Sequence, residues 1–173
     1  MSRKIIFIGG IHGSGKGTVC EILKTRTDLT HLTASEVLKW QEISTSQEKK
    51  VSDIDQMQNR LLTNLNKIIS NNKTYLLDGH YSILNKDGVP EKIPTQTFKD
   101  IDPSKLILLT ADPKVIKNRI EKRDALIYDI NLITEFQNLE ISFATEISTL
   151  LQIPLLCIDS EELNLEQLLN FIK

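Results

Sequence analysis

Cysteine is nearly absent: the chain of 173 residues carries only Cys20 and Cys157. Two thiols so far apart can neither staple a secreted miniprotein nor build a zinc site by themselves, so both are expected as small core residues. Charge of one sign is lacking as well, with 21 basic side chains against 23 acidic ones and a formal charge of -2. No global field then draws in a polyanion, and general nucleic-acid binding is not expected. Long apolar runs are missing too. The short one near the start is broken by Gly9-Gly10-Ile11-His12 before it reaches the length of a signal h-region, and nothing approaches the ~20 residues of a spanning helix. No membrane association is expected, and the expected compartment is the cytoplasm. What remains is 40% apolar and 25% charged, close to the ~45–50% and ~25% of ordinary folded domains. The length suits one domain, taken as residues 1–173.

Short apolar, β-branched runs alternate with stretches of helical period, the pattern of a parallel sheet flanked by helices. Strands are predicted at Lys4 to Ile8, His31 to Thr33, Thr74 to Leu77, Lys105 to Thr110 and Leu155 to Ile158. Helices are predicted from Gly15 to Thr27, from Ser35 as the cap of a second, and from Asp55 to Ile69 with Met57, Leu61, Leu65 and Ile68 on one stripe. Asp112-Pro113 reads as an N-cap with proline at the first helical position. Ile130 to Leu151 should be the longest helix, its stripe made by Phe136, Leu139, Phe143, Ile147 and Leu150. Asn164 with Gln167 resembles a capping box and starts the last. Asn85 to Pro103, with Pro90, Pro94, Pro103 and Asp87-Gly88, reads as a long irregular loop. The fold class is therefore α/β, three layers, a five-stranded parallel sheet with helices on both faces.

Gly10-Ile11-His12-Gly13-Ser14-Gly15-Lys16-Gly17-Thr18 follows the first strand and opens the first helix. A nucleoside triphosphate carries several negative charges, and side chains on such a loop would keep the backbone from closing round them. Glycines allow the close approach and turn successive N–H groups inward, while the helix N-terminus adds partial positive charge. Lys16 places a full charge at the transferring phosphate, and a hydroxyl can serve Mg²⁺. The usual Ser or Thr after the lysine is Gly17 here, with Thr18 one position later. His12 is either a spacer pointing away from the phosphates or a further contact. Cys20, just beyond, reads as core.

The third strand delivers Asp78 at the carboxyl edge of the sheet, where ligands bind in open α/β folds. Asp78 can orient waters on Mg²⁺ or serve as a turn residue before Gly79. His80 can touch the transferred phosphate or the acceptor, or fill the turn. Arg119 and Arg123, four apart on one helix, are either a positive clamp on the migrating phosphoryl group or a solvated face paired with Glu121 and Asp124.

With Gly-Gly-x-x-Gly-Ser-Gly-Lys-Gly-Thr, Leu-Leu-Asp-Gly-His and the two arginines in this order, the chain resembles the nucleoside monophosphate kinases, the archaeal type of adenylate kinase above all. The resemblance covers most of the chain and implies a P-loop NTPase fold, ATP and Mg²⁺ as cofactors, and a nucleotide substrate as partner. It implies that Lys16 bridges the donor phosphates, that Thr18 and Asp78 serve the metal, and that Arg119 lies over the donor base or phosphates. Thr33 to Lys39 is similar to the family's acceptor segment, which makes Ser35, Lys39 and His80 acceptor-binding candidates. Lys39 stands where the family has arginine, a point charge in place of a bidentate fork. The bacterial Pro-Arg acceptor motif is absent, with Lys49, Lys50 and Arg60 as substitutes or solvated charges, and Trp40 as acceptor-base contact or packing. Residues 34–70 then form a helical acceptor-binding insertion and about 123–131 a short lid. The archaeal type looks trimeric, so a homo-oligomer is implied.

The function expected first is Mg²⁺-dependent transfer of the ATP γ-phosphoryl to AMP, giving two ADP. A kinase for a small-molecule or polynucleotide hydroxyl, with Asp78 or His80 as base, and an ATP-driven switch protein are the alternatives.

Overall fold

A computed structural model describes residues 4–38, 54–70 and 72–173. The expectations for Lys39, Trp40, Lys49 and Lys50 lie outside the described residues. Strand β1 (Ile5–Gly9) is buried along its whole length, as a near-continuous apolar run should be in the middle of a covered sheet. It leads into α1 (Lys16–Arg26), then β2 (Thr30–Thr33), α2 (Ala34–Leu38), α3 (Ile54–Ile68) and β3 (Tyr75–Asp78). After them come β4 (Ser82–Leu84), β5 (Pro90–Lys92), α4 (Thr95–Ile101), β6 (Lys105–Thr110), α5 (Pro113–Asp124), α6 (Ile130–Leu151), β7 (Leu155–Asp159) and α7 (Leu165–Ile172).

Five strands make one sheet in the order β2-β3-β1-β6-β7, every neighbouring pair parallel. Side chains alternate across it. Ile5, Phe7, Leu77 and Leu108 face a core completed by Leu61, Leu65, Phe98 and Phe143 from α3, α4 and α6. Ile6, Ile8, Leu76 and Ile107 face the opposite core with Val19 and Leu23 of α1 and Leu168 of α7. The register pairs Ile8 with Asp78, Thr33 with Asp78 and Gly9 with Leu108. The ends of β1, β2, β3 and β6 are thereby gathered at one edge, and the phosphate loop rises from its centre.

Several local expectations change. The segment from Asn85 to Pro103 is not irregular: it holds β5, which pairs antiparallel with β4, and helix α4. Its prolines mark boundaries, since Pro90 opens β5, Pro94 is the N-cap of α4 and Pro103 follows its left-handed C-cap, Asp102. The cap of α2 is Thr33 rather than Ser35, because Thr33 Oγ1 accepts from the Glu36 N–H at 3.1 Å while the Glu36 carboxylate accepts from the Thr33 N–H at 3.3 Å, a reciprocal capping box. Cys20 is buried as expected, but Cys157 is exposed, because β7 is an edge strand. On α6, Leu150 is 47% exposed and Leu139 half-buried, while Gln137 and Glu140 join Ile133, Phe136, Phe143, Ala144 and Ile147 in the interior. Asp112 and Asn164 cap their helices as read, accepting from Lys114 N at 2.7 Å and Gln167 N at 3.0 Å. Among the described residues, no helix is long and apolar enough to cross a membrane.

Candidate active site

The loop between β1 and α1 takes its shape from its glycines. Gly10 has φ 145° and Gly13 φ 83°, in the range side chains rarely adopt. A Cβ at Gly10 would stand 2.5 Å from the Leu109 carbonyl oxygen, and one at Gly13 2.8 Å from Ile120 Cγ2. Ser14 N donates to Ile11 O at 3.1 Å, which closes the turn and leaves the Ser14 side chain buried.

Lys16 is the first residue of α1, and its Nζ lies 3.1 Å from Asp78 Oδ1, with both side chains largely buried. Asp78 is placed there by pairing with Ile8 on one side and Thr33 on the other. His31 Nε2, from β2, is 3.9 Å from the second Asp78 oxygen. Cys20, one turn along α1 from Lys16, is pushed up to about 12, first by burial and then by the Asp78 charge. Cys20 packs in the core, as the sequence led us to expect.

The turn after Asp78 is tied from below. Gly79 N donates to Ile8 O at 3.0 Å, Tyr81 is fully buried and donates to Ile107 O at 3.1 Å, and Ser82 donates both its N–H and its hydroxyl to Glu140 Oε1, the hydroxyl at 2.8 Å. Burial pushes Glu140 up to about 7, against the hydrogen bonds from Ser82 that favour the carboxylate. Gln137, one turn earlier, bonds both the N–H and the carbonyl of Ala111 at 3.1 and 2.9 Å, fixing the end of β6. Neither residue was singled out in the sequence. Their signal was a polar side chain within the inward stripe of α6, Glu140 standing four after Phe136 and three before Phe143.

The held turn carries His80 to the phosphate loop, where its ring lies 4.8 Å from that of His12. From the other side Arg119 Nη1 donates to the Gly13 carbonyl and to Ser160 Oγ, both at 3.1 Å, so it braces the loop. Arg123 instead grips Asp124 with two donors, and Asp124 also accepts from the Tyr128 hydroxyl at 2.6 Å. The pairing expected with Asp124 is thus made by Arg123, while Arg119 turns to the phosphate loop. Glu121 is held by Lys117 and not by either of them.

One cavity of about 1580 Å³ spans the site. It is lined by His12, Gly13, Gly15, Lys16, Gly17, Thr18, Ser35, Asp78, His80, Arg119 and Arg123, so the structure brings most of the sequence-predicted residues to one opening. Gly10 and Ser14 are not in its lining, because Gly10 packs on Leu109 and Ser14 is buried. Leu38, Met57, Leu61, Ile93, Phe98 and Ile101 also line the cavity, with the buried polar side chains of Gln58 and Thr97 among them. Such a volume exceeds the ~300–1,000 Å³ usual for one small ligand, and leaves room for a donor and an acceptor together.

Comparison with known proteins bears on this geometry. A family model described as an AAA domain matches residues 9–132, from the end of β1 into α6. A provisionally named adenylate kinase of Methanocaldococcus jannaschii is 27% identical over 118 residues, 68% of this chain and 58% of that protein. Adenylate kinase isoenzyme 1 of Oryctolagus cuniculus is 30% identical over 132 residues, 69% of this chain and 64% of the other. The chain thus spans under two thirds of the length of these curated relatives. Among solved structures, a gluconokinase from Sinorhizobium meliloti superposes with TM-score 0.60 at 12% identity, covering 98% of this chain and 90% of its own. The YorR protein of Bacillus subtilis, in complex with phosphorylated GDP, gives 0.57 at 19% identity, covering 97% and 92%. These two establish the fold, a P-loop NTPase architecture, and the curated relatives establish the likeness to nucleoside monophosphate kinases read from the motifs. The family match spans well over half of the chain, and the chain belongs to this AAA domain family.

Proposed function

We propose that the protein is a Mg²⁺-dependent ATP phosphotransferase of the nucleoside monophosphate kinase type, with AMP as its first acceptor. The observation that carries this is the Lys16–Asp78 pair, 3.1 Å apart, at the mouth of a cavity with room for two substrates. Triphosphate oxygens entering the loop compete with Asp78 for the Lys16 ammonium. The exchange frees the carboxylate at the sheet edge. Thr18 and Asp78 offer a hydroxyl and a carboxylate oxygen, a donor set that suits Mg²⁺ and would hold it, and the ion supplies charge neutralisation across the phosphoryl oxygens. Phosphoryl transfer asks little covalent work of a protein, so positioning and fixed positive charge carry the rate.

In this reading the loop from Gly10 to Thr18 cradles the donor phosphates, with His12 at its rim. Arg119 steadies the loop through Gly13 and reaches the donor. Arg123 leaves Asp124 for the migrating group as residues 123–131 close as a lid. Residues 34–70 form the acceptor side, with Ser35, Lys39 and His80 as contacts. A second reading, a kinase for a small-molecule hydroxyl, is favoured by one observation: among the described residues, the Lys and Arg side chains lining the cavity are Lys16, Arg119 and Arg123.

The deciding experiment incubates the protein with Mg-ATP and each nucleoside monophosphate, then with a panel of uncharged alcohols, and resolves the products. ADP formed from both ATP and AMP supports the first reading. A phosphorylated alcohol with AMP untouched supports the second. ATP loss with only free phosphate overturns both in favour of a switch protein.

A further inference from the structure

Cys20, His31 and Asp78 come from α1, β2 and β3 and meet beneath the phosphate loop. Their ligand atoms, a sulfur, an imidazole nitrogen and a carboxylate oxygen, all lie within 4.8 Å of one another. Cys20 is fully buried. His31 Nε2 is sealed from solvent and makes no hydrogen bond, its charged neighbour being the Asp78 oxygen at 3.9 Å. A polar atom left unsatisfied in the interior is costly, so native structures keep few of them, and each calls for a reason. Two nucleotide-site roles already account for Asp78, but neither explains why a thiol and an unsatisfied imidazole converge on its inner side.

The chemistry of the trio supplies the reason. Thiolate, imidazole and carboxylate are together the donors of a borderline-soft cation, whereas Mg²⁺ takes oxygen donors. Zinc sits ~2.0–2.3 Å from such atoms, so the three need only a modest contraction from their present spacing. We propose that Cys20, His31 and Asp78 form a three-ligand site for a borderline-soft divalent cation of the Zn²⁺ class, separate from the Mg²⁺ position, whose occupation arrests the enzyme.

Binding exchanges the Cys20 thiol proton for the metal and releases it to solvent, and no electrons are transferred. The bound cation takes Asp78 away from Lys16 and from the nucleotide's own metal. The arrest rests on the kinase reading; the site itself does not.

The test therefore begins without nucleotide. The full chain is titrated with Co²⁺ alone, and thiolate-to-cobalt charge-transfer absorption is followed in the near ultraviolet. A band saturating at one equivalent, bleached by Zn²⁺, lost in Cys20→Ser, weakened at least tenfold in His31→Gln and unchanged in Cys157→Ser is the expected result. No band, or a band that follows Cys157, overturns the site. Circular dichroism checks that each variant is folded; should Cys20→Ser fail, His31→Gln still decides, since it leaves the thiol in place. Micromolar Zn²⁺ should then suppress phosphoryl transfer by the wild type and spare Cys20→Ser. Cobalt binding with turnover untouched by Zn²⁺ overturns the arrest. A protein that binds cobalt as expected but transfers no phosphoryl group refutes the kinase reading and leaves the site standing.

Discussion

Replacing Glu140 by Gln isolates a single buried proton. Glu140 is fully enclosed between α6 and the turn after Asp78, and its ionisation is pushed from 4.5 up to about 7, chiefly by burial. In the unfolded chain it ionises near the ordinary value. Between the two values the folded protein holds a proton that the unfolded chain has lost, so stability falls as pH rises through this window. Below it both states are protonated and nothing is lost; above it the full cost is present. At ~1.36 kcal/mol per unit the shift amounts to about 3 kcal/mol. The Gln variant has no such proton. Its carbonyl can still accept from Ser82, although its amide hydrogens meet the place where Glu140 Oε2 lacks a partner. That mismatch gives a constant offset of roughly 1–3 kcal/mol, so the slope and not the intercept is diagnostic. Urea unfolding of both proteins, followed by circular dichroism from about pH 5 to about pH 8, reads the difference. Wild type should lose about 2.5 kcal/mol relative to Glu140→Gln across that range, the remainder having gone below about pH 5. Parallel stability curves would refute the reasoning, and would mean that the carboxylate is solvated or balanced by a charge.

Lys16→Ala should abolish most phosphoryl transfer, by roughly 10²–10³-fold or more, with an unchanged circular dichroism spectrum, since it deletes charge and no core; turnover like the wild type's would remove Lys16 from the mechanism. Arg123→Ala should lower kcat more than it weakens ATP binding if the guanidinium meets the phosphoryl group only in the transition state. An equal loss of affinity with kcat unchanged would make Arg123 a binding residue. Gly13→Ala and Gly17→Ala should separate: Gly13 combines φ 83° with a Cβ position 2.8 Å from Ile120, whereas a Cβ at Gly17 meets nothing within 4 Å. The first should cost ~1–3 kcal/mol, while the second should be neutral or stabilise α1 by about 0.5–1 kcal/mol in thermal melts. The reverse order would contradict the loop geometry.

The phosphate loop, the five parallel strands and most helix ends were legible in the sequence because each rests on neighbours a few residues apart. Gly10 to Thr18 needs only glycine spacing and one lysine, an apolar run such as KIIFI needs only its own length, and Asp112 caps the helix it precedes. Helix α4 is hidden in the sequence because Pro94 and Pro103 read as loop residues, although they flank a short helix that buries Thr97, Phe98 and Ile101. The fate of a side chain that depends on a distant element could not be read in this way. Cys157 is exposed because β7 is, among the described residues, an edge strand, and Glu140 is buried because the turn at Ser82 comes to rest on α6. The meeting of Lys16, Cys20, His31 and Asp78 is of the same kind. Parallel pairing of β1, β2 and β3 brings residues up to 62 positions apart to one point, and only burial of both faces of the sheet fixes that register.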